Sequence, residues 1–160
     1  SLTTYTMLRQ AWVAVSRLAE TKLIKVGLTP ETLAVLWLCR DYPSTLIPAE
    51  IARMTHREPN TITGLLNRMD REGLIERTPK RRGKPFTEIK RTAKGEQLLA
   101  SGLPILKSVI TRLMSGFSAK QQEQLQGLTR TLRDKALEEL HLEAGPPKGA
   151  RRGKPIPVKW

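Results

Sequence analysis

Asn60, Thr61, Thr63, Gly64, Asn67 and Arg68 carry the side chains best suited to close polar recognition. Short amides and hydroxyls both donate and accept, which is what hydrogen bonding to base edges in a major groove requires, and a guanidinium neutralises a phosphate. A little further on, Arg81, Arg82 and Lys84 crowd into the segment Lys80-Arg81-Arg82-Gly83-Lys84 between Pro79 and Pro85. Cations on a short loop answer the negative potential of a minor groove. The two prolines remove ladder donors, so the loop tip does not pair with another sheet edge.

These groups need elements to hold them. Ile62, Leu65, Leu66 and Met69 recur at helical spacing within Pro59 to Glu72, so one stripe faces a core and the polar set is left on the opposite side. Pro59 suits the first helical position, where its missing N–H is not needed. Gly64 is costly in mid-helix and has two readings, close approach of the helix backbone to DNA or close helix packing. A preceding short helix from Pro48 to Thr55 turns Ile51 and Met54 inward. Gly73 ends the second helix, Leu74-Ile75 begins a strand, and Phe86 to Lys90 returns. Two short helices joined by a tight turn, followed by a basic hairpin, make a winged helix-turn-helix. A solvated basic hairpin with no partner is the alternative for the loop taken alone.

The flanking segments read as helices too. Leu8, Ala11, Trp12, Val15, Leu18 and Ala19 recur at helical spacing, which predicts a helix from about Thr4 to Val26 stopped by Gly27. Thr29 and Pro30 open a second helix whose run Leu33 to Leu38 is apolar on most sides, and Tyr42-Pro43-Ser44 breaks it. Leu46-Ile47 is expected to form a short strand against the wing. Thr92 caps a long helix in which Leu99, Leu103, Leu106, Ile110, Leu113 and Phe117 form a heptad-like seam, with a kink expected at Pro104. Ser118 opens another helix, whose stripe Leu125, Leu128, Leu132, Ala136 and Leu140 is expected to lie against that seam.

The fold class expected is mainly α with a small β wing. Residues 28–92 form the winged helix-turn-helix lobe, residues 1–27 and 93–142 a helical dimerisation region, and residues 143–160 a flexible basic tail. The tail repeats the wing letter for letter, Arg81-Arg82-Gly83-Lys84-Pro85 as Arg151-Arg152-Gly153-Lys154-Pro155. Its Arg-Gly-Lys-Pro core resembles the AT-hook, an extended motif that lies in a narrow A·T-rich minor groove.

The balance of 28 Lys+Arg against 15 Asp+Glu, a formal net charge of +13, points to a polyanionic partner. A membrane is the competing polyanion, but no apolar run approaches the ~20 residues of a span. Arginine and lysine are spread through the first helix rather than gathered before an apolar segment, so a signal peptide is not expected. The single cysteine, Cys39, excludes an internal disulfide and fits a reducing cytoplasm, with packing in the apolar run as its expected role. Ser1 stands where an initiator methionine would, so the native start is expected to be trimmed or to lie a few residues upstream. His56 and His141 have no Cys or paired carboxylate at ligand spacing, and no phosphate loop or nucleophile elbow is present. Neither an enzyme nor a cofactor is expected. His56 is placed to touch a phosphate or to cap the turn, and Trp12 and Trp37 are expected on buried helix faces.

Leu28-Thr29-Pro30, Ile51-Ala52, Asn60-Thr61-Ile62-Thr63, Arg71-Glu72-Gly73-Leu74-Ile75-Glu76-Arg77 and Thr92-Ala93-Lys94-Gly95, in this order and spacing, resemble the MarR family of winged-helix transcriptional regulators. The resemblance covers nearly the whole chain. It implies a homodimer on double-stranded DNA with a palindromic operator, and release by a small aromatic or oxidising signal bound between the dimer helices and the lobe. The family's wing commonly holds an Asp-x-Arg element, and this wing has Gly83-Lys84-Pro85 near that place. Oxidation-sensing relatives carry a cysteine near the start of the first helix, where this chain has none. The function expected is a sequence-specific repressor, the alternative an architectural DNA-binding protein without a specific operator. A protein-interaction module would show an apolar outward face on the Pro59 helix, which this sequence lacks.

Overall fold

The computed structural model describes residues 1–42, 45–79 and 87–142. Helix α1, Leu2–Leu23, starts where the Ser1 hydroxyl accepts from the Thr4 N–H, and tightens into a 3-10 turn over Ile24–Val26. It thus begins two residues earlier than the expected start at Thr4. Gly27 closes it at φ 78, and the Leu28 N–H donates to the Leu23 carbonyl at 3.1 Å. This is the left-handed closure that favours glycine. Helix α2, Pro30–Asp41, is capped by Thr29, whose hydroxyl accepts from the Thr32 N–H at 3.1 Å. Its Leu33, Val35 and Leu36 are buried at the centre of the lobe.

Helices α3, Pro48–Thr55, and α4, Pro59–Arg71, each place a proline at the start, and each ends in a left-handed residue. After α3 it is His56 at φ 52, after α4 it is Gly73 at φ 69. Glu72, expected inside the helix, is its C-cap. Ile51, Ala52, Ile62, Leu65, Leu66 and Met69 are buried and join Leu28, Leu33 and Leu36 in one core, while Met54 is half-buried. The Tyr42 hydroxyl donates to Glu50 Oε2 at 2.5 Å, and Arg53 Nη2 reaches the same oxygen at 2.8 Å, which fastens the end of α2 to α3.

Strands β1, Ile75–Thr78, and β2, Glu88–Arg91, are antiparallel, with Ile75 opposite Arg91 and Thr78 opposite Glu88. The return strand starts later than expected, and Phe86 lies outside the described residues. No strand forms at Leu46-Ile47; a single bond from the Ile89 N–H to the Leu46 carbonyl, 2.8 Å, replaces the expected ladder. Pro48 follows immediately and commits the chain to α3, so pairing stops after one bond.

Helix α5, Ala93–Met114, is capped by Thr92 and runs as one uninterrupted helix through Pro104. It seats against the lobe through two glycines. A Cβ on Gly95 would lie 2.2 Å from the Leu74 carbonyl oxygen, and one on Gly102 would lie 2.3 Å from Leu28 Cδ1 and 2.8 Å from Leu33 Cδ1. Only hydrogen fits either place.

Helix α6, Ala119–Glu139, corrects the expected pairing with the α5 seam. It leaves α5 at 109°, and Leu125, Leu128, Leu132 and Leu140 are exposed. The corner is set locally: Ser118 and Gln121 form a reciprocal capping box, and Gln122 Nε2 donates to the carbonyls of Met114 and Phe117. Helix α1 packs along α5 instead. Even so, Leu8 and Val15 stay exposed, and Trp12, expected on a buried face, is 66% exposed. The part of its stripe from Leu8 to Val15 is left bare, and no other element among the described residues covers it.

Candidate nucleic-acid interface

The amphipathic division of α4 is complete. Its apolar residues Ile62, Leu65, Leu66 and Met69 are all buried, and Asn60, Thr61, Thr63, Gly64, Asn67, Arg68 and Arg71 are all exposed. The order along this face is amide and hydroxyl first, guanidinium last. Thr63 donates back to the Pro59 carbonyl at 3.0 Å, which turns its methyl and its remaining lone pairs outward. No side chain caps the start of α4, so its first backbone N–H groups stay available as donors.

Of the two readings of Gly64, helix packing is excluded among the described residues. Nothing of the chain lies within 4 Å of where its Cβ would be. The bare backbone there faces outward between Thr63 and Asn67.

Arg77 belongs to this surface although the sequence reading passed over it. Its Nη1 donates to Asn67 Oδ1 across the gap between β1 and α4, at 2.5 Å. Arg71 Nε reaches the main-chain carbonyl of the same Asn67 at 3.3 Å. The signal was present in strand alternation: Ile75 is buried under α4, Glu76 points out, and Arg77 comes back to the α4 side.

The expected wing cations Arg81, Arg82 and Lys84, together with Pro85 and the whole tail repeat, lie outside the described residues. What is described of the hairpin is its base. There Thr92 Oγ1 donates to the Gly73 carbonyl at 2.7 Å and Lys94 Nζ to the Glu72 carbonyl at 2.8 Å. Both bonds satisfy carbonyls at the end of α4 and fix the angle at which the hairpin departs.

His56 resolves as a cap. It terminates α3 in the left-handed region, its backbone N–H bonded to the carbonyls of Ala52 and Arg53, with Arg57 N–H also on Ala52. Burial, with Arg133 and Arg53 nearby, holds its imidazole below the ordinary histidine range. His141 ends α6 in the same way, at φ 54. Among the described residues no group of three or more His, Cys, Asp or Glu could hold a metal ion. No single helix there is long and apolar enough to cross a membrane.

A second feature is built from α2 and α5. A cleft of about 660 Å³ between α2 and α5 is lined by Trp37, Arg40, Leu103, Pro104, Lys107 and Ile110 among others. Trp37 Nε1 donates to Asp41, Arg40 pairs with the same carboxylate at 2.7 Å, and the Arg40 guanidinium lies 5.8 Å from the Trp37 ring centre. The Arg40 hydrogen bond holds the Asp41 carboxyl below the usual carboxylate range. Trp12 does not line this cleft. Cys39 is half-buried nearby, and burial pushes its thiol up to about 11.

A helix-turn-helix with its polar face bare and a two-stranded hairpin beside it defines a winged-helix DNA-binding lobe. Residues 28–83 match the model of the MarR family, and the lobe has the winged-helix fold of that family. Among solved structures, the organohalide-sensing regulator RdhR in its ligand-free form is 23% identical, with 91% of this chain and 88% of that one covered at a TM-score of 0.80. The Staphylococcus aureus MepR–DNA complex is 25% identical over 80% of this chain and 93% of that one, at a TM-score of 0.71. A mutant MarR from E. coli complexed with operator DNA is 19% identical over 79% and 91%, at a TM-score of 0.72. No curated protein matches the sequence.

Proposed function

We propose that the chain is a homodimeric repressor that binds a palindromic operator, with two α4 helices in successive major grooves and the wings over the flanking minor grooves. The observation that carries this reading is the exposed face of α4, where Asn60, Thr61, Thr63, Gly64, Asn67 and Arg68 stand bare over a fully buried apolar face. Arg81, Arg82 and Lys84 take the minor-groove role. Residues 28–92 act as the DNA-binding lobe, residues 1–27 and 93–142 as the dimerisation region, and residues 143–160 as a basic tail. The uncovered apolar rows of α1 and α6 support the dimer, because Trp12, Leu128 and Leu140 are each more than three-fifths exposed in one chain. Two-fold related lobes would set half-sites about 34–36 Å apart.

The cleft beside Trp37 is the place for an effector. An aromatic wall with Arg40 and Lys107 at its edge suits a small aromatic anion, and a structural neighbour is solved with 2,4-dichlorophenol bound. Displacing Arg40 from Asp41 would be the first event on binding.

The test is fluorescence anisotropy of the full chain on a selected operator and on a scrambled duplex, at several salt concentrations. A specific reader separates the two by at least ~10³-fold. Near-equal affinities would replace this reading with that of an architectural protein. Arg82→Ala should weaken both duplexes and lower the salt slope by about one unit. Asn67→Ala should act mainly on the operator.

A further inference from the structure

We propose that Arg77, on the first wing strand, is a specificity-determining residue that sets what Asn67 reads. The inference rests on the major-groove role of α4 and deepens it. A free asparagine at the middle of a recognition face presents both an acceptor and a donor, and its natural match is adenine, which offers N7 and the N6 amino group side by side. Asn67 is not free. Arg77 Nη1 occupies its Oδ1, and the guanidinium, having no acceptor, cannot be the donor's competitor. The amide is thereby turned with its NH2 outward and one lone pair of Oδ1 is taken, so Asn67 presents itself to a base mainly as a donor. Its best major-groove match is then guanine, where O6 and N7 are adjacent acceptors, and the N6 amino group of adenine meets it donor to donor.

Two features of the surroundings hold this arrangement. Arg71 Nε engages the Asn67 carbonyl from the same helix, which keeps that turn of α4 regular, and Arg77 is only partly exposed between β1 and α4. Gly64 lies one turn before Asn67 with no side chain in the way, so the amide can come close to a base edge. Arg77 acts through Asn67 and is a positioning residue for base choice rather than a base contact itself.

The experiment is in vitro selection of the full chain on a random duplex library, followed by binding curves on single-position variants of the consensus. The base pair under Asn67 is the one whose preference disappears in Asn67→Ala. There the wild-type chain prefers guanine to adenine by roughly tenfold, the scale of one good bidentate contact. Arg77→Ala abolishes or reverses that preference and leaves the other positions unchanged. Arg77→Lys, which keeps a donor toward Oδ1, retains part of it, and Arg77→Ala adds nothing in the Asn67→Ala background. A uniform loss of affinity at all positions, or an equal effect of Arg77→Ala with and without Asn67, overturns the assignment and makes Arg77 a phosphate contact. A wild-type chain with no base preference at any position overturns the operator reading itself, and this assignment with it.

Discussion

Cys39 is placed where its chemistry is suppressed. With the thiol pushed up to about 11, its thiolate at neutral pH is reduced about a hundredfold from that of an ordinary cysteine. Native protein should therefore react slowly with iodoacetamide, with denatured protein as the fast control, and Cys39→Ser should bind DNA like the wild type. Rapid alkylation of the native chain would reinstate an oxidising signal. Gly64 has the opposite character, being open on its outer side. Gly64→Ala should raise stability by about 0.5–1 kcal/mol, read as a higher melting temperature, and at the same time weaken operator binding. His56 offers a third case. Its imidazole titrates below the ordinary value, so the unfolded chain takes up the proton more readily. The stability it contributes is intact above pH 6.5 and is lost as pH falls through the lowered folded value. His56→Gly should relieve the left-handed backbone, worth up to about 1 kcal/mol, and flatten the acid dependence of the urea midpoint. At this scale the sequence disclosed the stripe residues and the polar face, because each follows from helical period. It did not disclose the capping role of His141 or the Arg77 to Asn67 bond, since both depend on where a neighbouring turn or strand arrives.

Among the elements, those whose pattern answers to one neighbour were read correctly, and those with a choice of neighbours were not. Helices α2 and α4 carry apolar faces that only the lobe core could take, and both stand where their periodicity places them. The stripe of α6 announced that something covers it without saying what. The choice was made at the corner by Ser118, Gln121 and Gln122, three polar residues whose joint geometry a periodicity scan does not weigh. Gly95 and Gly102 make the same point from the other side. Both sit in a helical pattern where glycine is merely unfavourable, and only the packed neighbour reveals that a methyl group has no room. Gly102→Ala should lower stability by about 1–3 kcal/mol in chemical denaturation, as overpacking does. Gly95→Ala should cost at least as much, because the obstacle there is a backbone carbonyl, not a side chain that can turn aside. A wild-type denaturation midpoint for either variant would mean that α5 can lift from the lobe at little cost.

For the whole molecule, the rows left bare on α1 and α6 are where the proposed dimer would close. The combined substitution Trp12→Glu with Leu128→Glu should shift sedimentation from dimer to monomer at micromolar concentration while preserving helical content. A dimer that survives it would place the interface elsewhere. The net charge of +13 makes every affinity a function of salt, so the two oligomeric forms must be compared at one ionic strength. The close seating of α5 has a mechanical side as well. Its backbone bears on Leu74 at one turn and on Leu28 two turns later, with no clearance at either point, so shaft and reading head turn as one piece. In the proposed dimer, a tilt applied to α5 beside Pro104 and Lys107 would pass to the lobe through these two contacts, and would gear the distance between twin heads to whatever fills the notch at Trp37.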